Sequence, residues 1–178
     1  VLTYTVINPK KKIDSKTKRV MDAIDDKKIS VLMELEGLPE IFTEASVIGG
    51  AFMGNTYNEA NGTAVARQIV SPEFMEKFDA ATGGKGAGVL HELTEAYEGG
   101  KVAIDERRSV PSSKEDYKGY LEIHNRATEI EEVKYNLYDV HGNKTDKFRA
   151  VRIEFLFNSL ISGKERYIME RKYQLFNR

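Results

Sequence analysis

Cysteine is absent from this sequence of 178 residues. The absence excludes disulfide bonds, thiolate zinc fingers and a cysteine nucleophile, and it leaves any metal ion to histidine and carboxylate ligands. Only three histidines are available for that purpose. A chain without cysteine is stable in reducing and in oxidising surroundings, so the absence is compatible with either compartment.

A hydrophobic segment long enough to cross a bilayer is also missing. The longest apolar run, Ile153 to Leu160, is interrupted by Glu154 and Asn158. The net charge of −1 provides no overall attraction to nucleic acid or to an anionic membrane. Lys and Arg outnumber Asp and Glu by eight to four in residues 144–172, and lysines that protect edge strands from aggregation account for this excess. We therefore expect no membrane span, and the overall charge does not favour a nucleic-acid partner.

The length and composition are typical of one globular domain that covers residues 1–178. Hydrophobic residues make up 40% and charged residues 31%, unlike a disordered chain. The sequence begins at Val1 without an initiator methionine or a signal-peptide pattern. We therefore expect a piece that is processed or excised from a longer protein.

Helical and strand patterns occupy separate blocks, which predicts an α+β fold. We expect three main helices, over residues 71–81, 88–98 and 114–131. A further helix is capped by Asp14 or Ser15 and ends near Asp26. Gly99 and Gly100 are predicted to end the second main helix, and a loop should follow over residues 101–111.

The strand patterns predict an antiparallel hairpin in the N-terminal half and a β-meander at the C-terminus. The turn dipeptide Asn61-Gly62 separates the two strands of the hairpin. Alternating segments separated by turn residues form the meander. The predicted strands are an edge strand over residues 2–7, a buried strand over 29–35, the hairpin over 47–57 and 63–70, and the meander over 133–140, 151–157 and 167–175.

The segment from His91 to Glu95 (HELTE) contains the most specific chemical pattern. His91 and Glu95 are four residues apart on one helical face, a spacing at which both side chains reach one metal ion. Glu92 occupies the position where zinc hydrolases place the general base. The alternative is an amphipathic helix with a solvated acidic face, packed through Val89, Leu93 and Ala96.

A zinc hydrolase needs a third protein ligand and an open coordination position. His124 lies in the predicted third main helix, which could bring it beside the other two ligands, whereas His141 belongs to an exposed turn. Tyr97 and Tyr120 are candidates for binding substrate or an oxyanion. The fallback ligands, should His124 lie elsewhere, are Glu98, Asp105 and Glu131.

Residues 49–56 (GGAFMGNT) and 90–97 (LHELTEAY) resemble zincin-like metallopeptidase toxin domains. These domains lie at the C-termini of Rhs-type and other polymorphic-toxin proteins, particularly of Bacteroidetes. The resemblance implies a Zn²⁺ ligand at His91 and a catalytic base at Glu92, while Glu95 replaces the second histidine of classical zincins. It also implies release from a carrier protein by cleavage, secretion or delivery to a target cell, and a cognate immunity protein.

The leading interpretation is thus a zinc-dependent hydrolase that acts on a protein or peptide substrate as an effector or toxin domain. Residues 29–131 would carry the metal site, and a sheet edge beside the metal helix could hold a peptide by strand addition. One alternative is a non-enzymatic structural or interaction module of a secretion apparatus or phage particle. Another is a nuclease-type toxin that uses His141 or His124 together with the basic C-terminal strands.

Overall fold

The computed structural model describes residues 12–37, 49–84, 86–128, 133–146, 149–158 and 163–172. Within these ranges the chain forms helices and two three-stranded sheets, which confirms the α+β prediction. The elements in chain order are α1 (Ser15–Asp25), β1 (Ile29–Leu35), β2 (Gly50–Asn58), β3 (Thr63–Val70), α2 (Pro72–Thr82), α3 (Ala87–Glu106), α4 (Tyr117–His124), β4 (Val133–Tyr138), β5 (Arg152–Asn158) and β6 (Glu165–Lys172). The strand predicted over residues 2–7 lies outside the described residues.

Contacts divide the chain into two compact units. The first comprises Val1–Leu35, Gly50–Val70 and Val89–Glu129, and the second comprises the remaining segments, as far as each is described. The single-domain assignment stays a prediction. None of the helices in the described ranges has the length and apolar character that a bilayer span requires.

The sheet of the first unit has the strand order β1-β3-β2. Strands β2 and β3 form the predicted antiparallel hairpin, and Gly62 adopts the left-handed conformation (φ +65°) that the turn requires. Residues 47–48, where the first hairpin strand was expected to begin, lie outside the described residues. Strand β1 has the predicted bounds and joins the sheet by pairing in parallel with β3, which makes β3 the central strand.

Helix α3 passes through the two glycines that were predicted to end it and continues to Glu106. These glycines let the helix lie close to the sheet. A Cβ atom at Gly99 would come within 2.6 Å of the Phe52 ring, and one at Gly100 within 2.5 Å of Ile29. The buried residues of this interface are Phe52, Ala64, Ala66, Ala96 and Ala103, with Val110 and Ile123 beside them.

Helix α4 is shorter than the helix predicted over residues 114–131. Its N-cap is Asp116, whose carboxylate accepts from the backbone N–H of Gly119, and the helix ends at His124. Ser112, which precedes the predicted helix, forms a turn with Glu115. The last residues of the predicted helix, 129–131, lie outside the described residues.

The second unit contains α2 and the sheet β4-β5-β6, whose antiparallel pairing is the predicted meander. Ser71 caps α2 and Pro72 occupies its first turn, as the sequence predicts. The buried face of β5 consists of Ile153, Phe155 and Phe157. Phe74 and Phe78 of α2 pack edge-on against the two phenylalanines of this strand.

A candidate metal centre on helices α3 and α4

The polar face of α3 is buried. His91 is only 3% exposed and Glu95 only 1%, whereas Val89 of the expected apolar face is 40% exposed. The alternative of a solvated acidic face is therefore wrong. Buried carboxylates are tolerated only with hydrogen-bonding or charged partners, so the partners of this face define the site.

His91, Glu95 and His124 converge on one point of the first unit. The Nδ1 atom of His124 lies 2.6 Å from Oε2 of Glu95 and 3.3 Å from Nε2 of His91. Nε2 of His91 and Oε2 of Glu95 are 3.7 Å apart. The structure thus brings together the three residues proposed from the sequence as metal ligands, and these form a group able to hold an ion.

The three donor atoms are close enough to surround one zinc ion. They lie on a circle of radius about 1.9 Å, and zinc binds histidine nitrogen and carboxylate oxygen at about 2.0–2.1 Å. The 2.6 Å between Nδ1 of His124 and Oε2 of Glu95 is a hydrogen-bond distance, so these two atoms would move apart to about 3.3 Å around a tetrahedral ion. Two imidazoles and one carboxylate are also a donor set that zinc hydrolases use. Three protein ligands leave one position open in a tetrahedral site, as a catalytic centre requires.

A hydrogen bond to the backbone orients the first ligand. Nδ1 of His91 lies 2.5 Å from the carbonyl oxygen of Thr128, an acceptor that holds the proton on Nδ1 and leaves the Nε2 lone pair toward Glu95 and His124. Thr128 is itself held by α3, because its backbone N–H donates to Oγ1 of Thr94 at 3.1 Å. A fixed partner on the non-ligating nitrogen is the usual support of a metal-binding histidine.

Gln68 of β3 is a member of the site that sequence reasoning missed. Its Nε2 donates to Oε1 of Glu95 at 3.0 Å and also to Oε2 of Glu92. Gly50 of β2 lies against the Glu92 carboxyl group, and a Cβ atom at this position would overlap it. The sequence held one signal: residue 68 falls on the inward face of β3, on which Ala64, Ala66 and Val70 are buried and apolar.

The surroundings drive the pKa values of the two carboxyl groups apart. Burial, and then the charge of Glu95, raise the pKa of Glu92 from 4.5 to about 8. Burial alone would raise the pKa of Glu95 as well. Hydrogen bonds from His124 and Gln68, together with the neighbouring His91 ring, outweigh it, however, and lower that pKa to about 2. Glu95 is therefore ionised, as a metal ligand must be, while Glu92 holds a proton in the ion-free site at neutral pH.

The two candidate tyrosines occupy different places. The hydroxyl of Tyr120 lies 3.3 Å from Nδ1 of His124, at the site, and burial and the nearby carboxylates raise its pKa. The hydroxyl of Tyr97 donates to Oδ2 of Asp26, the C-cap residue of α1, at 3.1 Å. Burial and this bond raise the pKa of Tyr97, and the structure shows no bond from it to the three ligands.

The fallback ligands lie apart from the cluster or outside the described residues. Glu98 forms an ion pair with Lys101 at 3.1 Å, and Asp105 is not part of the cluster that could hold an ion. Glu131 lies outside the described residues. His141 is exposed in its turn, as the sequence predicts.

The outer edge of β2 is partly covered by the chain itself. The segment Ser109–Ser113 follows this edge, with Val110 O accepting from Asn55 N–H and Ser113 N–H donating to Phe52 O, both at 3.0 Å. An extended peptide therefore cannot add to β2 between Phe52 and Asn55. On this edge, strand addition stays a prediction only for the parts of β2 outside Phe52–Asn55.

Comparisons of the chain with protein-family models, with curated proteins and with solved structures give no match.

Proposed function

We propose that the chain is a zinc-dependent hydrolase of the metallopeptidase kind, and that it acts as an effector or toxin domain. In this proposal His91, Glu95 and His124 hold the metal, and Glu92 is the general base. One observation supports it above all. Three side chains with suitable donor atoms, from two helices, meet within ligand distance in a largely buried position.

The arrangement of the residues suits a hydrolytic reaction. A zinc ion held there would polarise a carbonyl group and lower the pKa of water. Glu92 adjoins the ligand His91 in sequence and shares the amide of Gln68 with the ligand Glu95, so its carboxyl group lies next to that of a ligand. In this proposal it accepts the proton of the attacking water. A positive ion beside Glu92 would favour its ionised form, which is the form a base needs.

The site is open to solvent on the side of α4. The side chain of His124 is 36% exposed, whereas those of His91 and Glu95 are nearly inaccessible. A substrate therefore approaches over His124 and passes Tyr120, whose hydroxyl could donate a hydrogen bond to an oxyanion. Tyr97 has no part in this role, because its hydroxyl is bonded to Asp26.

Metal analysis of protein purified without chelator tests the ligand set. We expect one zinc ion per chain in the wild type and none in His91→Ala or His124→Ala. His124→Ala removes a hydrogen bond from the buried Glu95 carboxylate, so its melting temperature should fall. The variant should still fold, because Gln68 continues to donate to Glu95 and Ile123 and Ala127 keep their buried positions. The control His141→Ala changes an exposed turn and should retain zinc. A wild type without stoichiometric zinc would overturn the proposal and favour the non-enzymatic module.

Hydrolysis of unfolded protein and of quenched fluorescent peptides tests the reaction. Glu92→Gln should retain zinc and lose activity by about 10²–10⁴-fold, since the amide cannot accept the proton. Activity equal to that of the wild type would show that Glu92 is not the base.

The effector role can be tested by expression inside bacterial cells. Wild-type chain should slow growth, and Glu92→Gln should not. Equal growth of the two strains, with the chain directed to the cytoplasm or to the periplasm, would contradict a toxin role and leave the hydrolase proposal in place.

A further inference from the structure

Gln68 is a fully buried polar side chain in the middle of an apolar strand face. It lies on the central strand β3, opposite Phe52 of β2 and Met33 of β1 in the pairing register. Its side chain is 0% exposed. Such a position ordinarily takes an apolar residue, so the amide needs a specific reason.

The hydrogen bonds of Gln68 show which half of the amide is used. Nε2 has two hydrogens and donates to two carboxylates, those of Glu92 and Glu95. Oε1 is buried and has no hydrogen-bond partner among the described residues. A buried, unbonded carbonyl oxygen lowers stability, so packing alone would favour methionine or leucine here. The donor group is the property that glutamine adds.

The position of this donor orients the Glu95 carboxylate. Oε1 of Glu95 is held by Gln68, whereas Oε2 faces His124 and His91. We infer that Gln68 is a positioning residue that presents Glu95 to the metal through a single oxygen, and that also ties Glu92 to the same support. The inference rests on the proposed function, because it assigns Gln68 a role toward the ion held there.

Loss of the donor should weaken the site without removing a ligand. The Glu95 carboxylate would be free to rotate, and nothing would hold it and the Glu92 carboxyl group at their present separation. Removing a partner that orients a metal ligand typically lowers metal affinity by about 10–100-fold. We expect a loss in this range for Gln68→Met, which keeps the length of the side chain and lacks a donor.

The experiment is a measurement of zinc affinity by competition with a chelating dye. The variants are Gln68→Met and Gln68→Leu, two apolar side chains that lack a donor. Ala66→Gly is the matched control, because Ala66 is buried on the same face of β3 two residues away. It should lower the melting temperature while zinc affinity stays within about twofold of the wild type.

Cobalt-substituted protein adds a readout that a merely structural role would not change. Visible absorption of Co²⁺ reports coordination number, so a Glu95 carboxylate that turns to bind through both oxygens would alter the spectrum of Gln68→Met. Ala66→Gly should keep the wild-type spectrum.

The outcomes separate this inference from the proposed function. Weaker binding and an altered spectrum in Gln68→Met, with Ala66→Gly unchanged, would support the inference. If Gln68→Met does not fold, Gln68→Leu decides by the same criteria. Wild-type affinity and spectrum in a folded Gln68 variant would overturn the inference and leave the zinc hydrolase intact. A wild type that binds no zinc would overturn both.

Discussion

Replacing Gly99 by alanine should destabilise the protein, although it improves the helix. Glycine to alanine in a helix interior ordinarily stabilises by about 1 kcal/mol. At this position the new Cβ would lie 2.6 Å from Cζ and 2.7 Å from Cε2 of Phe52, closer than carbon atoms approach. The Phe52 ring is completely buried and cannot swing into solvent. Overpacking of this kind costs about 1–3 kcal/mol, so after the helix gain is subtracted we expect a net loss on the order of 1 kcal/mol and at most about 2 kcal/mol.

Denaturation by urea measures this loss as a lower midpoint with an unchanged slope. A double-mutant cycle with Phe52→Leu identifies the cause, because leucine lacks the ring atoms that the new methyl group meets. Gly99→Ala should cost less in that background, with a coupling free energy of about 0.5–3 kcal/mol. A midpoint equal to or above that of the wild type in Gly99→Ala would refute the close-packing explanation. Gly99 would then act only by lowering the intrinsic stability of the helix.

Two further predictions concern a turn and a titration. Gly62→Val should lower the free energy of unfolding by at least about 1–2 kcal/mol, because φ is +65° and the space around it is open, so only backbone strain acts; an unchanged melting temperature would contradict this. In zinc-free protein the raised pKa of Glu92 keeps a proton in the folded state that the unfolded chain releases above pH 4.5. The folded state should therefore lose stability as the pH rises toward 8, by at most about 1.4 kcal/mol per pH unit. The lowered pKa of Glu95 acts in the opposite direction only below pH 4.5. In Glu92→Gln the free energy of unfolding should change less with pH between pH 5 and 8 than in the wild type. Equal slopes in the variant and the wild type would contradict the raised pKa of Glu92.

Elements with strong local signals could be predicted closely. Helix α2 begins where Ser71 and Pro72 provide a cap and a first turn, and β1 has the bounds of its apolar run. The alternation of Ile153, Phe155 and Phe157 gives both the strand and its buried face. In each case the signal lies in neighbouring residues, so it does not depend on what the element packs against.

Elements whose ends are decided by packing could not be predicted. The two glycines of α3 look like a helix end, because glycine is the usual residue after one. Their role depends on the Phe52 ring and on Ile29, which are 47 and 71 residues away in sequence. The extra length predicted for α4 has a similar origin: Ser112 is a good cap by type, but its side chain is already bonded to Glu115.

The candidate site was accessible to sequence reasoning only through its spacing. His91 and Glu95 are one helical turn apart, and His124 followed by elimination among three histidines. Gln68 carries no motif, and its donor role follows only from the tertiary contact with α3. A polar residue on the inward face of a strand is the sign that would have directed attention to it.

The burial of the polar face of α3 is the deeper reason why the sequence was ambiguous. Periodicity shows that a helix has two different faces, but it does not show whether one or both are buried. In α3 both are buried, because Ala96 of the apolar face is 0% exposed as well. A face that contains His91, Glu92 and Glu95 can be buried only if other elements provide donors. Gln68 provides them from the sheet and His124 from α4. Because the ionised Glu95 would otherwise be a buried, unpaired charge, its partners are a condition of the fold before they serve any metal ion. His124→Ala therefore tests stability and zinc binding at once, and the two losses separate only if melting is also measured in the zinc-free wild type.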